Sequence, residues 1–341
     1  MKALVKDKAE VGLKLKEVDI PKIKADEVLI KVNATAICGT DIHIWNWDAW
    51  ASKTIKPPMT VGHEFMGEIV EVGSIVKNLS LGDRVSAESH IVGSTSRNAR
   101  SGKLHLDPDT INVGVNRDGA FAEFLCVPSR NVIKLPGSVD NEMGAILDPY
   151  GNAVHAALSF DLVGEDVLIT GAGPIGIMSA AIALHVGARK VLITDINDDR
   201  LSLAKSVCDV ETLNPSKENL KEKMKHMGLK EGFDIGLEMS GSESALDQMI
   251  DSMLMGGKVA LLGLPSDSIN LDLPKLIFKA LTLKAIYGRE MFETWYKGLA
   301  LIESGLDVTN VITHSFHFTE YEKAFELLNA GKAGKVVLNW D

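Results

Sequence analysis

Cysteine is scarce in this sequence: Cys38, Cys126 and Cys208 are the only three in 341 residues, and no two of them form a CxxC pair. A disulfide-stapled scaffold is thereby excluded, and a reducing compartment is the natural setting. No apolar run approaches the roughly 18 residues that suggest a membrane-spanning helix. Met1-Lys2-Ala3-Leu4-Val5 leads directly into a charged, strand-like stretch rather than a secretory leader, so a cytoplasmic location is the expectation. Positive charge is also short: 36 Lys and Arg face 46 Asp and Glu, for a net charge of -10 at pH 7. Binding to nucleic acid or an anionic membrane lacks its electrostatic basis, and a small-molecule partner is expected instead.

What is present is a chain with 45% hydrophobic residues, long enough to build two cores. Short Val-, Ile- and Phe-rich runs at 27–36, 65–72 and 121–127, broken by Gly, Asp and Pro, read as β-strands, so residues 1–150 form a mostly β domain. After Gly164 the texture changes to strands alternating with helices: 167–170 before 175–186, 191–193 before 198–207, 233–239 before 242–254, then 259–262. That alternation predicts a doubly wound parallel sheet over 151–311, an α/β arrangement. The tail leaves this rhythm, with a capped helix at 319–330 between strand-like runs at 312–318 and 335–340, and 312–341 is expected to rejoin the first domain. The Lys-rich stretch 217–230 reads as a solvated helix face.

Gly171-Ala172-Gly173-Pro174-Ile175-Gly176 is a G-x-G-x-x-G pattern placed between a predicted strand and a predicted helix. There the glycines permit a tight turn, close approach of backbone to a pyrophosphate, and close helix packing, while the helix N-terminus offers free N–H groups. Asp195 ends the next predicted strand, 19 residues beyond Gly176. Such an acid accepts hydrogen bonds from an adenosine ribose and repels a 2'-phosphate, favouring NAD over NADP, although Arg200 nearby partly offsets that preference.

Cys38-Gly39-Thr40-Asp41-Ile42-His43 follows one strand-like run, and Gly62-His63-Glu64 precedes another. Thiolate, imidazole and carboxylate from Cys38, His63 and Glu64 suit Zn(II) in a three-ligand catalytic site with one open position. Taken singly, Cys38 is more often a small buried side chain and His63 a satisfied loop histidine; taken together, the residues alone leave both readings open.

Those segments, with Phe65-Met66-Gly67-Glu68-Ile69-Val70-Glu71-Val72-Gly73, Gly82-Asp83-Arg84-Val85 and the glycine fingerprint, resemble the zinc-containing medium-chain dehydrogenases across essentially the whole chain. Within that family, His43-Ile44-Trp45-Asn46-Trp47-Asp48, Gly151-Asn152-Ala153-Val154-His155-Ala156 and Tyr287-Gly288-Arg289-Glu290-Met291-Phe292-Glu293-Thr294-Trp295-Tyr296 are similar to the bacterial threonine 3-dehydrogenase branch. The resemblance implies a GroES-like catalytic domain beside a Rossmann domain, NAD and zinc as cofactors, and a homotetramer that oxidises L-threonine. It implies zinc held by Cys38, His63 and Glu64, a proton relay through Thr40 and His43, and Asp148 as an acid close to the metal, with His90 a weaker candidate for the substrate pocket. NAD would be met by Ile175, Asp195, Arg200, Leu262, Gly263, Leu264, Ile286 and Tyr287. A zinc-dependent polyol or 2,3-diol dehydrogenase is the alternative, and a non-enzymatic NAD-binding protein a remoter one. One departure stands out: the family's lobe of four cysteines for a structural zinc is replaced here by Gly93, Ser96, Ala99 and Asp107. One catalytic ion per chain and no structural zinc are therefore expected.

Overall fold

A computed structural model describes residues 1–93 and 95–340. The chain divides into two compact units, one of Met1–Pro149, Glu290–Leu299 and Ile312–Asp341, the other of Tyr150–Arg289 and Ala300–Val311.

In the first unit the strand Glu27–Ala36 is buried along nearly its whole length, as its run of Val, Leu, Ile and Ala requires. It pairs antiparallel with Glu64–Val72, Phe124–Pro128 and Lys335–Asn339, and parallel pairing of Lys335–Asn339 with Ile312–His317 extends the sheet. Side chains such as Val28, Ile30, Phe65, Phe121, Phe325 and Leu338 close the core over this sheet. Register decides what reaches its end: Ala36 lies opposite Glu64 on one side and Val337 on the other. Cys38, Glu64 and Lys335, distant in sequence, are thus delivered to one edge of the sheet. The tail helix is Tyr321–Asn329, shorter than the pattern suggested, because a 3-10 turn at Phe318–Glu320 precedes it and its N-cap Glu320 makes no side-chain cap bond.

The segment without cysteines is ordered by local hydrogen bonds. Ser96 caps the short helix Arg97–Arg100 by accepting from the Ala99 N–H, and Asn98 Nδ2 donates to the Leu106 carbonyl at 2.8 Å. Ser94 lies outside the described residues.

The second unit carries six strands in the order Glu211–Leu213, Lys190–Thr194, Asp166–Thr170, Phe233–Glu238, Met253–Leu261, Thr282–Ala285, and every pairing is parallel. The chain starts in the middle, moves outward on one side, then returns to build the other, so its direction reverses between Asp166–Thr170 and Phe233–Glu238. Open α/β sheets hold ligands in the crevice outside the strand ends at such a reversal. The strand expected at 259–262 begins earlier, at Met253, with Gly256 taking φ +80° within it. Among the described residues no helix is long and apolar enough to cross a membrane.

Candidate active site

Cys38 ends the loop after Glu27–Ala36 and serves as N-cap of the helix Gly39–Asn46, where Asp41 Oδ2 accepts the Cys38 N–H at 2.9 Å. His63 and Glu64 stand at the start of the neighbouring strand. One ligand atom from each of Cys38, His63 and Glu64 lies within 4.8 Å of the other two. Glu64 and Asp41 are fully buried, and Glu64 Oε1, His63 Nδ1 and Asp41 Oδ1 have no hydrogen-bond partner. Buried polar atoms are almost always paired, so the orphans mark a place for a cation.

The charges agree. Burial alone would lower the pKa of His63, but the Cys38 sulfur and the Asp41 and Asp148 carboxylates raise it to about 10. Burial pushes the carboxyls of Asp41 and Glu64 upward against the pull of Lys335 and His63. The pocket demands positive charge, and a soft sulfur, an imidazole and a carboxylate are a donor set that fits Zn(II).

Two partners, Lys335 and Asp41, were given no role from the sequence. Lys335, itself 5% exposed, donates to Glu64 Oε2 and to the Ile37 carbonyl. Asp41 Oδ1 faces His63 Nδ1 at 3.9 Å. Asp148, 5% exposed, accepts from Ser89 Oγ at 3.0 Å.

Thr40 Oγ1 lies 3.9 Å from Cys38 Sγ, and His43 sits three residues further along the same helix, on the same face and exposed. His43 Nδ1 is held by Asp48 Oδ2, a carboxylate that also caps the helix Ala49–Thr54. His90 faces inward to Glu88, whose other oxygen accepts from Trp295 Nε1 at 2.9 Å. Glu88 carries no local motif, and Trp295, though part of the 287–296 run, was given no role from the sequence.

In the second unit Gly171 takes φ +95°, Gly173 is the N-cap and Pro174 opens the helix Pro174–His185. A crevice of about 310 Å³ is lined by Gly171, Gly173, Asp195, Arg200, Ser240 and Ser242, among others. Asp195 accepts from the Ala172 N–H at 2.8 Å and the Asn197 N–H at 2.9 Å, and Arg200 Nη1 approaches it to 3.7 Å. Leu262, Gly263, Leu264, Ile286 and Tyr287 do not line that crevice; they follow the ends of Met253–Leu261 and Thr282–Ala285, with Leu264 92% exposed and Ile286 buried. Ile175 follows Pro174 in the first turn of its helix.

The two halves of the chain match known families: an alcohol dehydrogenase GroES-like domain over residues 24–137 and a zinc-binding dehydrogenase over residues 174–304. An L-threonine 3-dehydrogenase from Ruegeria pomeroyi is 57% identical over 341 residues, covering 100% of both chains. Galactitol-1-phosphate dehydrogenase from Escherichia coli has a similar structure, with TM-score 0.91, 28% identity and 100% of each chain covered. So does a short chain alcohol dehydrogenase from E. coli CFT073 in complex with NADH, with TM-score 0.91, 25% identity, and 100% and 99% covered. With its mostly β unit, its parallel sheet and its glycine fingerprint all within these matches, the chain belongs to the L-threonine 3-dehydrogenase family of zinc-binding alcohol dehydrogenases.

Proposed function

We propose that this chain oxidises the side-chain hydroxyl of L-threonine to the ketone of 2-amino-3-oxobutanoate, transferring hydride to NAD and releasing one proton. The observation that carries the reading is the convergence of Cys38, His63 and Glu64 with unpartnered buried donor atoms, in a chain more than half identical to an L-threonine 3-dehydrogenase. Zinc held by these three residues, one ion per chain, supplies the Lewis acidity that brings a secondary hydroxyl into the range where it ionises near pH 7.

The remaining work falls to the chain itself. Thr40 receives the substrate proton, since a hydroxyl both accepts and donates. His43 passes it to solvent, its ring held by Asp48. Asp148, with Ser89 as its partner, adds negative charge that attracts the substrate ammonium and orients the relay. Gly171, Gly173, Ile175 and Gly176 cradle the pyrophosphate, Asp195 and Arg200 take the adenosine, and Leu262, Gly263, Leu264, Ile286 and Tyr287 take the nicotinamide half. The crevice lined by Gly171, Gly173, Asp195 and Arg200 supports the pyrophosphate and adenosine part of this assignment. The assembly is a cytoplasmic homotetramer, free of nucleic acid and membrane partners and without a structural zinc, because Gly93, Ser96, Ala99 and Asp107 supply no thiolate.

The test is NADH formation from L-threonine and NAD before and after chelation, with zinc counted per chain. One zinc and threonine-dependent NADH are expected, abolished by chelation. A panel in which polyols or 2,3-diols turn over while threonine does not would replace the substrate, and a chain that binds no zinc would end the reading.

A further inference from the structure

At the reversal of the parallel sheet lies a buried carboxylate that the proposed chemistry leaves unused. Glu238 ends the strand Phe233–Glu238 opposite Thr170 and is 3% exposed. Its Oε1 accepts from Thr170 Oγ1 at 3.3 Å, from the Ser240 N–H at 2.8 Å, from the Ser240 hydroxyl and from the Gly241 N–H at 3.1 Å, and its Oε2 accepts from the same Gly241 N–H at 3.2 Å. The backbone carbonyl of Glu238 holds the Leu262 and Gly263 N–H groups at 2.9 and 3.0 Å. One residue therefore fastens three adjacent strand ends.

The turn it fastens has almost no room. A Cβ on Gly171 would stand 2.9 Å from the Ser240 nitrogen, one on Gly241 2.4 Å from the Leu264 carbonyl oxygen, and one on Gly263 2.6 Å from Glu238 Oε2. Met239–Gly241 is thus wedged between the first glycine of the fingerprint and the segment 262–264. The order continues outward: the Ser240 hydroxyl accepts the Ser242 N–H at 3.1 Å, and Ser242 caps the helix Glu243–Ser252. Ser240 and Ser242 line the same crevice as Asp195.

We infer that Glu238 is a positioning residue for the dinucleotide: its carboxylate sets the 239–242 turn, and so the wall of the crevice that faces Gly171 and Asp195. The inference rests on the NAD-binding reading above. A carboxylate suits this turn because Oε1 gathers four donors while Oε2 shares the Gly241 N–H; a glutamine that keeps the Oε1 set turns its amide donor towards the Gly241 N–H and loses the negative charge.

The experiment compares wild type, Glu238→Gln and Ser240→Ala as zinc-loaded full chains, by calorimetric titration with NAD and with AMP and by steady-state kinetics. Glu238→Gln is expected to weaken both ligands about tenfold, because a hydrogen bond to a charged group is exchanged for a mismatch. KM for NAD should rise by a similar factor while kcat at saturating NAD, KM for threonine and zinc content stay close to wild type. Ser240→Ala keeps the carboxylate and should give a smaller loss, about threefold. Wild type binding NAD while Glu238→Gln binds NAD and AMP equally well, even with a lowered Tm, overturns the inference alone. A wild type that binds no NAD overturns the reading beneath it as well.

Discussion

Around Cys38, His63 and Glu64 the buried donors outnumber their partners, whereas at Asp195 both carboxylate oxygens already hold peptide N–H groups. The first pocket is short of positive charge: Asp41, Asp148 and the Cys38 sulfur lift His63 to about 10, so that a proton takes up part of the deficit. The second is complete as a hydrogen-bonded frame and waits only for a ligand of the right shape. A metal pocket built this way must be filled to work; a crevice built the other way is preorganised and loses little freedom on binding.

The comparison breaks most sharply at Cys38. Cys38→Ser replaces the soft sulfur with a hydroxyl that ligates zinc poorly. Zinc content and turnover should fall together, the latter roughly a thousandfold, the several kcal/mol that Lewis acidity contributes to the barrier. NAD affinity, measured by titration, should stay near the wild-type value, because Asp195, Gly171 and Glu238 owe none of their hydrogen bonds to the metal pocket. Loss of NAD binding along with the zinc would show that the two regions are not independent.

A smaller effect separates the metal from the proton path. Thr40→Ala and His43→Asn each leave Cys38, His63 and Glu64 in place, so zinc content should be unchanged while turnover falls about a hundredfold, the usual scale for a lost acid–base step. His43 keeps its orientation through Asp48, and raising the buffer concentration should restore part of the rate to His43→Asn by carrying the proton in its stead. Unchanged turnover in both variants removes the relay.

The regions also differed in how far the sequence revealed them. The glycine fingerprint was legible because its constraint is local: a Cβ on Gly176 would lie 2.0 Å from the Gly171 carbonyl oxygen, so only glycine fits, and the pattern is forced into one short segment. Asp195 was legible for the same reason, one strand and one turn away. The alternation of strands and helices from 166 onward gave the parallel sheet, while the beginning of Met253–Leu261 was hidden by Met and Gly residues that carry no strand signal. Cys38, His63 and Glu64 were ambiguous until the resemblance singled them out, since each is an ordinary residue in an ordinary loop. Lys335 could not be read at all. It reaches Glu64 across 271 residues only because Ala36 is registered against both Glu64 and Val337, and register is a tertiary property. The Trp295 bond to Glu88, across 207 residues, was hidden for the same reason.

The finest test of the comparison is at Asp195, where the frame is complete and the proposed reading gives one carboxylate the choice of cofactor. Asp195→Ala removes the acceptor proposed for the ribose hydroxyl and releases the Ala172 and Asn197 N–H groups. A hydrogen bond to a charged group is worth about 1.5–3 kcal/mol, so NAD affinity should fall roughly tenfold to a hundredfold. Arg200, now 3.7 Å from that carboxylate, would lose its anionic neighbour and be left to meet a 2'-phosphate. NADP affinity should therefore rise in Asp195→Ala and return to a low value in Asp195→Ala with Arg200→Ala, and the double-mutant cycle isolates the Arg200 contribution. An Asp195→Ala variant that keeps the wild-type ratio of NAD to NADP affinity would show that the preference is set elsewhere in the crevice.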